Sequence, residues 1–259
     1  MKYSLCIEPV FTECDFCERV ARARECGVDA VEFWVPESKD LKALARVCEK
    51  QNMPVAAMSV AKSWQIRLNE DRDAVLRQLE QTVEWGEMVG CKTFIGLAGD
   101  TTAHPDRQDT VLVENLKAAA ELMEKADACL VIEPLNTLVD HKGYYLDSAR
   151  EAFNVVKAVN SPGVKVLYDC YHMQIMEGNV LDTVLHNLKW IGHFHSASVP
   201  GRNELYRGEL YYPLLVKKLA VASYEGYFGM EFWPTGDDAQ AVRENLEYLR
   251  TGKFPPAWV

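Results

Sequence analysis

Short apolar runs alternate along the chain with longer stretches in which apolar residues recur at three- and four-residue steps. The runs predict strands at Tyr3 to Ile7, Ala30 to Phe33, Pro54 to Met58, Thr93 to Gly96, Leu130 to Ile132, Val164 to Tyr168, Ile191 to Phe194 and Tyr227 to Met230. Between them the helical period predicts helices at Phe16 to Cys26, Leu41 to Lys50, Asp71 to Val89 and Val111 to Ala126. Four more follow at Ser148 to Val159, Val180 to Leu188, Leu214 to Ala222 and Ala239 to Leu249. The step Val75, Leu79, Val83 shows the period, and Gly27 and Gly90 stand where left-handed caps would end two of the helices. Eight strands, each followed by a helix and with no Pro/Gly/Ser-rich linker, predict a single α/β domain over residues 1–259, a closed (β/α)8 TIM barrel. A doubly wound open sheet would be expected to carry a Gly-rich phosphate loop after an early strand. Neither GxGxxG nor GxxxxGK(S/T) occurs.

Length and composition agree with this. The chain has 259 residues, typical of one such barrel, and 48% of them are hydrophobic, enough to bury a large core. Its net charge of −10 argues against nucleic acid or an anionic membrane surface as partner, because phosphate binding needs concentrated Lys and Arg. No run approaches the 18 apolar residues of a membrane span, and the opening MKYSLCIEPVF lacks the apolar core of a secretory signal. Eight scattered cysteines, several inside apolar runs, suit a reduced, cytoplasmic setting in which thiols act as small core residues. Cys14-x-x-Cys17 has the spacing of a redox or zinc pair. There is no second such pair, and it falls where the first helix should begin, so it is read as a helix start without chemistry.

Four polar residues stand where strands five to eight should end: Glu133 in VIEPLN, Asp169 in VLYDCYH, His195 in IGHFHSAS and Glu231 in FGMEFWP. They are separated by 36, 26 and 36 residues, each about one βα unit, so each step moves one strand around the barrel and returns to the same height. Side chains at the C-terminal ends of barrel strands converge on the top face, where barrel active sites lie. Taken singly, each has a plainer role: a salt bridge, a helix cap for Asp169, a satisfied core imidazole for His195. Together, three carboxylates and an imidazole at one point need a positive partner. A divalent metal is the simplest one. Three oxygen donors and one nitrogen favour Mg, Mn or Co over Zn. No cysteine is in phase with the four, and Cys170 should point away from Asp169 across the strand.

This strand-end set, Glu…Asp-x-x-His…His…Glu, resembles the xylose-isomerase-like barrels, which include sugar isomerases, ketose 3-epimerases and endonuclease IV. Within that group EPLN at 133 to 136, GYYL at 143 to 146, DCYHMQ at 169 to 174, VPGRNE at 199 to 204, GEL at 208 to 210 and the opening FTEC…GVDAVEF resemble the hydroxypyruvate isomerase family. The resemblance spans nearly the whole chain. It implies that Glu133 and Glu231 both hold the metal and move protons, and that the barrels often pair as homo-oligomers. At the third metal position hydroxypyruvate isomerases tend to carry glutamine, whereas His195 stands here, as in the ketose 3-epimerases. Those epimerases also place an acid a few positions past the first glutamate to hold a sugar hydroxyl. Val139 occupies that place, with Asp140 next to it.

The implied chemistry is isomerisation of a small hydroxy-ketone. The metal would chelate a ketone oxygen and an adjacent hydroxyl oxygen and stabilise the enediolate formed on loss of the neighbouring C–H proton. The two glutamates would serve as base and acid. Return of the proton to the adjacent carbon interconverts aldose and ketose, as between hydroxypyruvate and tartronate semialdehyde. Return to the same carbon from the other face makes the enzyme a ketose 3-epimerase. Around the metal, His172 is expected to donate to a substrate oxygen. Arg202 is expected to grip a carboxylate, with Glu209 a weaker candidate that orients it. Trp34, Trp64 and Trp233 are expected to wall the pocket, unless they only cap the core. His193, two residues before His195 on the same strand face, should support it from below. His104, His141 and His186 carry no signal, and the longest loops, Ala98 to Gln108 and Ser196 to Tyr212, are candidates for function. A DNA-repair endonuclease on this barrel would need further histidines on strands three and four. Those strands end in AAMSV and TFIGLAGD. A non-catalytic sugar-binding barrel has no use for two proton-moving glutamates.

Overall fold

The computed structural model describes residues 1–102 and 105–255, with the backbone alone at 105 and 106. Among the described residues the strands are β1 (Lys2–Cys6), β2 (Ala30–Phe33), β3 (Val55–Ser59), β4 (Thr93–Gly96), β5 (Cys129–Ile132), β6 (Val164–Asp169), β7 (Ile191–Ser196) and β8 (Tyr227–Met230). All pair in parallel with their neighbours in chain order, and β8 closes on β1. The crossovers are α1 (Phe16–Cys26), α2 (Leu41–Gln51), α3 (Arg72–Val89), α4 (Pro105–Lys125) and α5 (Ala149–Val159), then α6 (Cys170–Met176) and α7 (Val180–Asn187) in one connection, α8 (Tyr212–Val221) and α9 (Asp238–Thr251). This is the (β/α)8 barrel that the alternation predicts. The sequence pattern did not resolve α6, which occupies the DCYHMQ motif, and α4 begins earlier than Val111.

Local chemistry sets the element ends. The side chains of Asp40, Asp71 and Ser148 accept from the backbone N–H three residues on, capping α2, α3 and α5. Gly27 closes α1 in the left-handed region at φ 87°. Cys17 lies in the first turn of α1 and Cys14 just before it, with its thiol donating to the Phe11 carbonyl. All eight cysteines are free, and burial pushes both the Cys14 and Cys17 thiols up, away from the thiolate a metal or redox pair needs.

Both faces of the strands are buried, as parallel barrels require. A large apolar shell fills the space between strands and helices, while Ala57, Ile95, Val131 and Leu167 form a smaller cluster that packs separately. These four lie on β3, β4, β5 and β6, two residues before Ser59, Leu97, Glu133 and Asp169. The two-residue strand period therefore stacks the functional layer directly above the inner cluster. His193 and Gly229 stand in the same relation to His195 and Glu231 on β7 and β8. On this side the lower layer is polar, because Glu32 of β2 meets both histidines.

Candidate active site

Glu133, Asp169, His195 and Glu231 each offer a ligand atom within 4.8 Å of the others, and all four are buried. Asp169 is paired in register with His195, and Glu231 follows the last residue of β8, so consecutive strand ends deliver the set. Asp169 divides its carboxylate. Oδ1 caps α6 by accepting from the backbone N–H of Tyr171 (2.7 Å) and His172 (3.4 Å), which leaves Oδ2 toward the cluster. His195 Nε2 lies 2.8 Å from Glu32 Oε2. Its Nδ1 faces Glu133 Oε1 at 3.8 Å and Glu231 Oε1 at 3.5 Å, buried and without a hydrogen-bond partner.

The charge balance is strained. Burial pushes the Asp169 carboxyl up to about 7, with the Glu231 and Glu133 carboxylates adding to the shift and Arg202 opposing it. Burial works against a charge on His195, yet Glu231, Glu32 and Glu133 outweigh it and hold the imidazole well above its ordinary range. A cluster that draws in protons in this way lacks positive charge. The orphaned Nδ1 and three carboxylates fit a divalent ion held by Glu133, Asp169, His195 and Glu231.

A cavity of about 190 Å³ opens above the cluster. Trp34, Trp64, Trp233, Leu97 and Leu135 make its walls mostly apolar, and Ser59, Ser63, His141, His172 and Arg202 bring polar atoms to it. The Trp34 indole N–H donates to Glu231 Oε1 at 3.0 Å. Arg202 donates to Glu231 Oε2, and its guanidinium lies between the rings of Tyr171 (5.0 Å) and Trp233 (4.8 Å). His172 Nδ1 accepts from the Asn136 backbone N–H at 3.1 Å, which places the imidazole proton on Nε2, 3.5 Å from Asp169 Oδ2. Burial, reinforced by Arg202, keeps His172 well below its ordinary range, so it is a neutral donor.

Most of the residues read from sequence come together here. Glu209 does not: it is exposed and accepts from Gln174, while Arg202 is held by Glu231. Asp140 is exposed, accepts from Asn136 Nδ2 (2.7 Å) and Tyr171 Oη (2.8 Å), and does not line the cavity. The sequence pattern misses several contributors, His141 and Glu32 among them. His141 carried no periodic signal, yet it stacks on Trp64 (6.3 Å, 20°) in the cavity wall. Glu32 lay unremarked in GVDAVEF, where a lone carboxylate in an apolar strand was the available sign. His186 is exposed on α7, and His104 lies outside the described residues, as does part of the Ala98 to Gln108 loop.

Residues 20–252 match the model of the xylose isomerase-like TIM barrel family. The chain belongs to that family. Within the xylose isomerase-like barrels it is 31% identical to the hydroxypyruvate isomerase of Escherichia coli (strain K12) over 247 residues, covering 90% of this chain and 94% of the relative. It is 29% identical to the 2-oxo-tetronate isomerase of Cupriavidus necator over 257 residues, covering 96% and 98%. A crystal structure of an AP endonuclease, family 2, from Brucella melitensis superposes with a TM-score of 0.89 at 27% identity, covering 95% of this chain and 98% of that one. These isomerase relatives, aligned over nearly its whole length, place this xylose isomerase-like barrel among isomerases. No helix among its described residues is long and apolar enough to cross a membrane.

Proposed function

We propose that the chain is a divalent-metal-dependent isomerase of a small hydroxy-ketone, acting on hydroxypyruvate or a related oxo acid such as 2-oxo-tetronate. The observation that carries this reading is the meeting of Glu133 and Glu231, from strands three apart, with Asp169 and His195 on the floor of a small cavity. Relatives that align over 90% and 96% of the chain and are named for these two substrates support the substrate class. So does the diversion of Asp140 away from the cavity, since a ketose epimerase would use an acid there.

A bound divalent ion, with Mg, Mn or Co suiting the donor set better than Zn, supplies Lewis-acid polarisation of the substrate carbonyl. The chain's own residues do the rest. One of Glu133 and Glu231 removes the C3 proton of hydroxypyruvate and the other protonates C2, while a hydroxyl proton passes from the C3 oxygen to the C2 oxygen. The product is tartronate semialdehyde, with no net loss or gain of atoms. The His172 Nε2–H donates to an oxygen on which charge develops. Trp34 and Arg202 fix the Glu231 carboxylate so that its position is set before substrate arrives. The three tryptophans keep water from the exchanging proton.

The test is solvent deuterium exchange on Mn²⁺-loaded protein, with hydroxypyruvate, 2-oxo-tetronate and a neutral ketulose followed side by side by NMR. Exchange and conversion of the oxo acids are expected. Turnover of the ketulose with none of the oxo acids would overturn the substrate class and leave a ketose 3-epimerase, the reading that His195 at the third position favours. Exchange with none of the three would overturn the isomerase mechanism itself.

A further inference from the structure

Below the candidate metal centre, Glu32 lies in the barrel interior with 1% exposure, surrounded on β3 to β6 by apolar side chains. A lone carboxylate there costs stability, and an apolar residue would fill the space more cheaply. Both of its oxygens nonetheless face β7, and Oε2 is hydrogen-bonded there. Oε2 meets His195 Nε2 at 2.8 Å, and Oε1 meets His193 Nε2 at 3.0 Å. The space is also kept open on the far side. A Cβ on Gly229 of β8 would come within 2.7 Å of Glu32 Oε1 and 2.9 Å of His195 Cδ2. Three strands, β2, β7 and β8, thus agree on one position for the His195 ring.

The consequence is directional. An imidazole that donates from Nε2 keeps its lone pair on Nδ1, and Nδ1 is the buried, unpartnered atom that faces Glu133 and Glu231. We propose that Glu32 is the positioning residue of the metal centre: it fixes the Nε2–H form and the orientation of His195, with His193 bracing the carboxylate from below. Glu32 and His193 are themselves within ligand range of His195. The short Oε2 to His195 Nε2 hydrogen bond and the little room that Gly229 leaves favour a positioning role for Glu32 over a second ion there. The inference rests on the proposed metal-dependent reading and deepens it.

Mn²⁺ binding to the full chain, read from free Mn²⁺ by electron paramagnetic resonance, tests it in a double-mutant cycle. Glu32→Gln keeps the size of the side chain and removes its charge. It is expected to weaken Mn²⁺ binding roughly 10–100-fold, the usual effect of losing such a partner. In a His195→Gln background, where no imidazole needs orienting, the same change is expected to cost no more than about threefold. Equal losses in both backgrounds, or no loss in either, would overturn the positioning role and leave the metal reading intact. Two Mn²⁺ per wild-type chain would also overturn it, by making Glu32 a ligand. A wild-type chain that binds no Mn²⁺ would remove the metal reading and this inference with it. Should Glu32→Gln fail to give a cooperative melt, the nitrogen-15 shifts of His195 in Mg²⁺-loaded wild-type protein decide: a protonated Nε2 upholds the assignment, and a protonated Nδ1 overturns it.

Discussion

Glu231 is held from two sides, by the Trp34 indole and the Arg202 guanidinium. Glu231→Gln keeps the size of the side chain, but its one amide oxygen can serve only one of these two donors and it cannot carry a proton. Its kcat is therefore expected to fall roughly 10²- to 10⁴-fold while the protein still melts cooperatively. A kcat within tenfold of wild type would exclude Glu231 as a proton carrier. Arg202, expected from its sequence position to grip a carboxylate, meets the carboxylate of Glu231. If that pairing is its task, Arg202→Lys, which loses the planar fork, is expected to lower kcat by a factor corresponding to about 1.5–3 kcal/mol with little change in KM for hydroxypyruvate. A large rise in KM at unchanged kcat would show instead that the guanidinium holds the substrate carboxylate. The cluster itself was legible because Glu133, Asp169, His195 and Glu231 keep the phase of the βα repeat. Glu32 was not, since its partner is 163 residues away and nothing local marks the pairing. Asn136 and His141 sit on the irregular loop after β5, where no period places a side chain.

At the scale of elements, the eight strands and the long helices were readable, most bounds within two residues and the start of α4 six residues late, because parallel strands buried on both faces stand out against amphipathic helices. One element went unread, α6, seven residues capped by the Asp169 carboxylate and too short to show a period. How closely the helices press on the barrel is seen at Gly86 of α3. A Cβ there would lie 2.5 Å from the Phe94 ring and 2.7 Å from the Cys91 carbonyl. Gly86→Ala is therefore expected to destabilise the fold by about 1–3 kcal/mol, as overpacking does. That should lower Tm by several degrees at a rate of roughly 2–4 °C per kcal/mol, with kcat at saturating metal unchanged, because the contact lies on the outer face of β4. An unaltered Tm would mean that α3 can draw back without cost.

For the molecule as a whole, the cluster links stability to pH and to metal. Asp169 is raised to about 7 in the folded state from an ordinary 3.8, so between these values the metal-free native state holds more protons than the unfolded one. Stability from this group is accordingly lost as pH rises through that window. His195, raised well above 6.5, acts in the same direction at higher pH. A metal held by the cluster would displace those protons, and an ion at 100 times its Kd would add about 2.7 kcal/mol. The gain in Tm on adding Mn²⁺ to chelator-treated protein is expected to be larger at pH 8 than at pH 5.5. A gain that shrinks as pH rises would contradict the charge balance described for the site.

The pairing of Trp34 with Glu231, with the Trp233 ring 6.0 Å away and a guanidinium against it, has a use outside catalysis. Indole emission responds to the charges and hydrogen bonds around the ring, and whatever enters this cavity must alter both. The barrel thus carries its own optical gauge of occupancy. Titrating ion or oxo acid should change the intrinsic fluorescence without any dye, and Trp34→Phe should silence most of the signal.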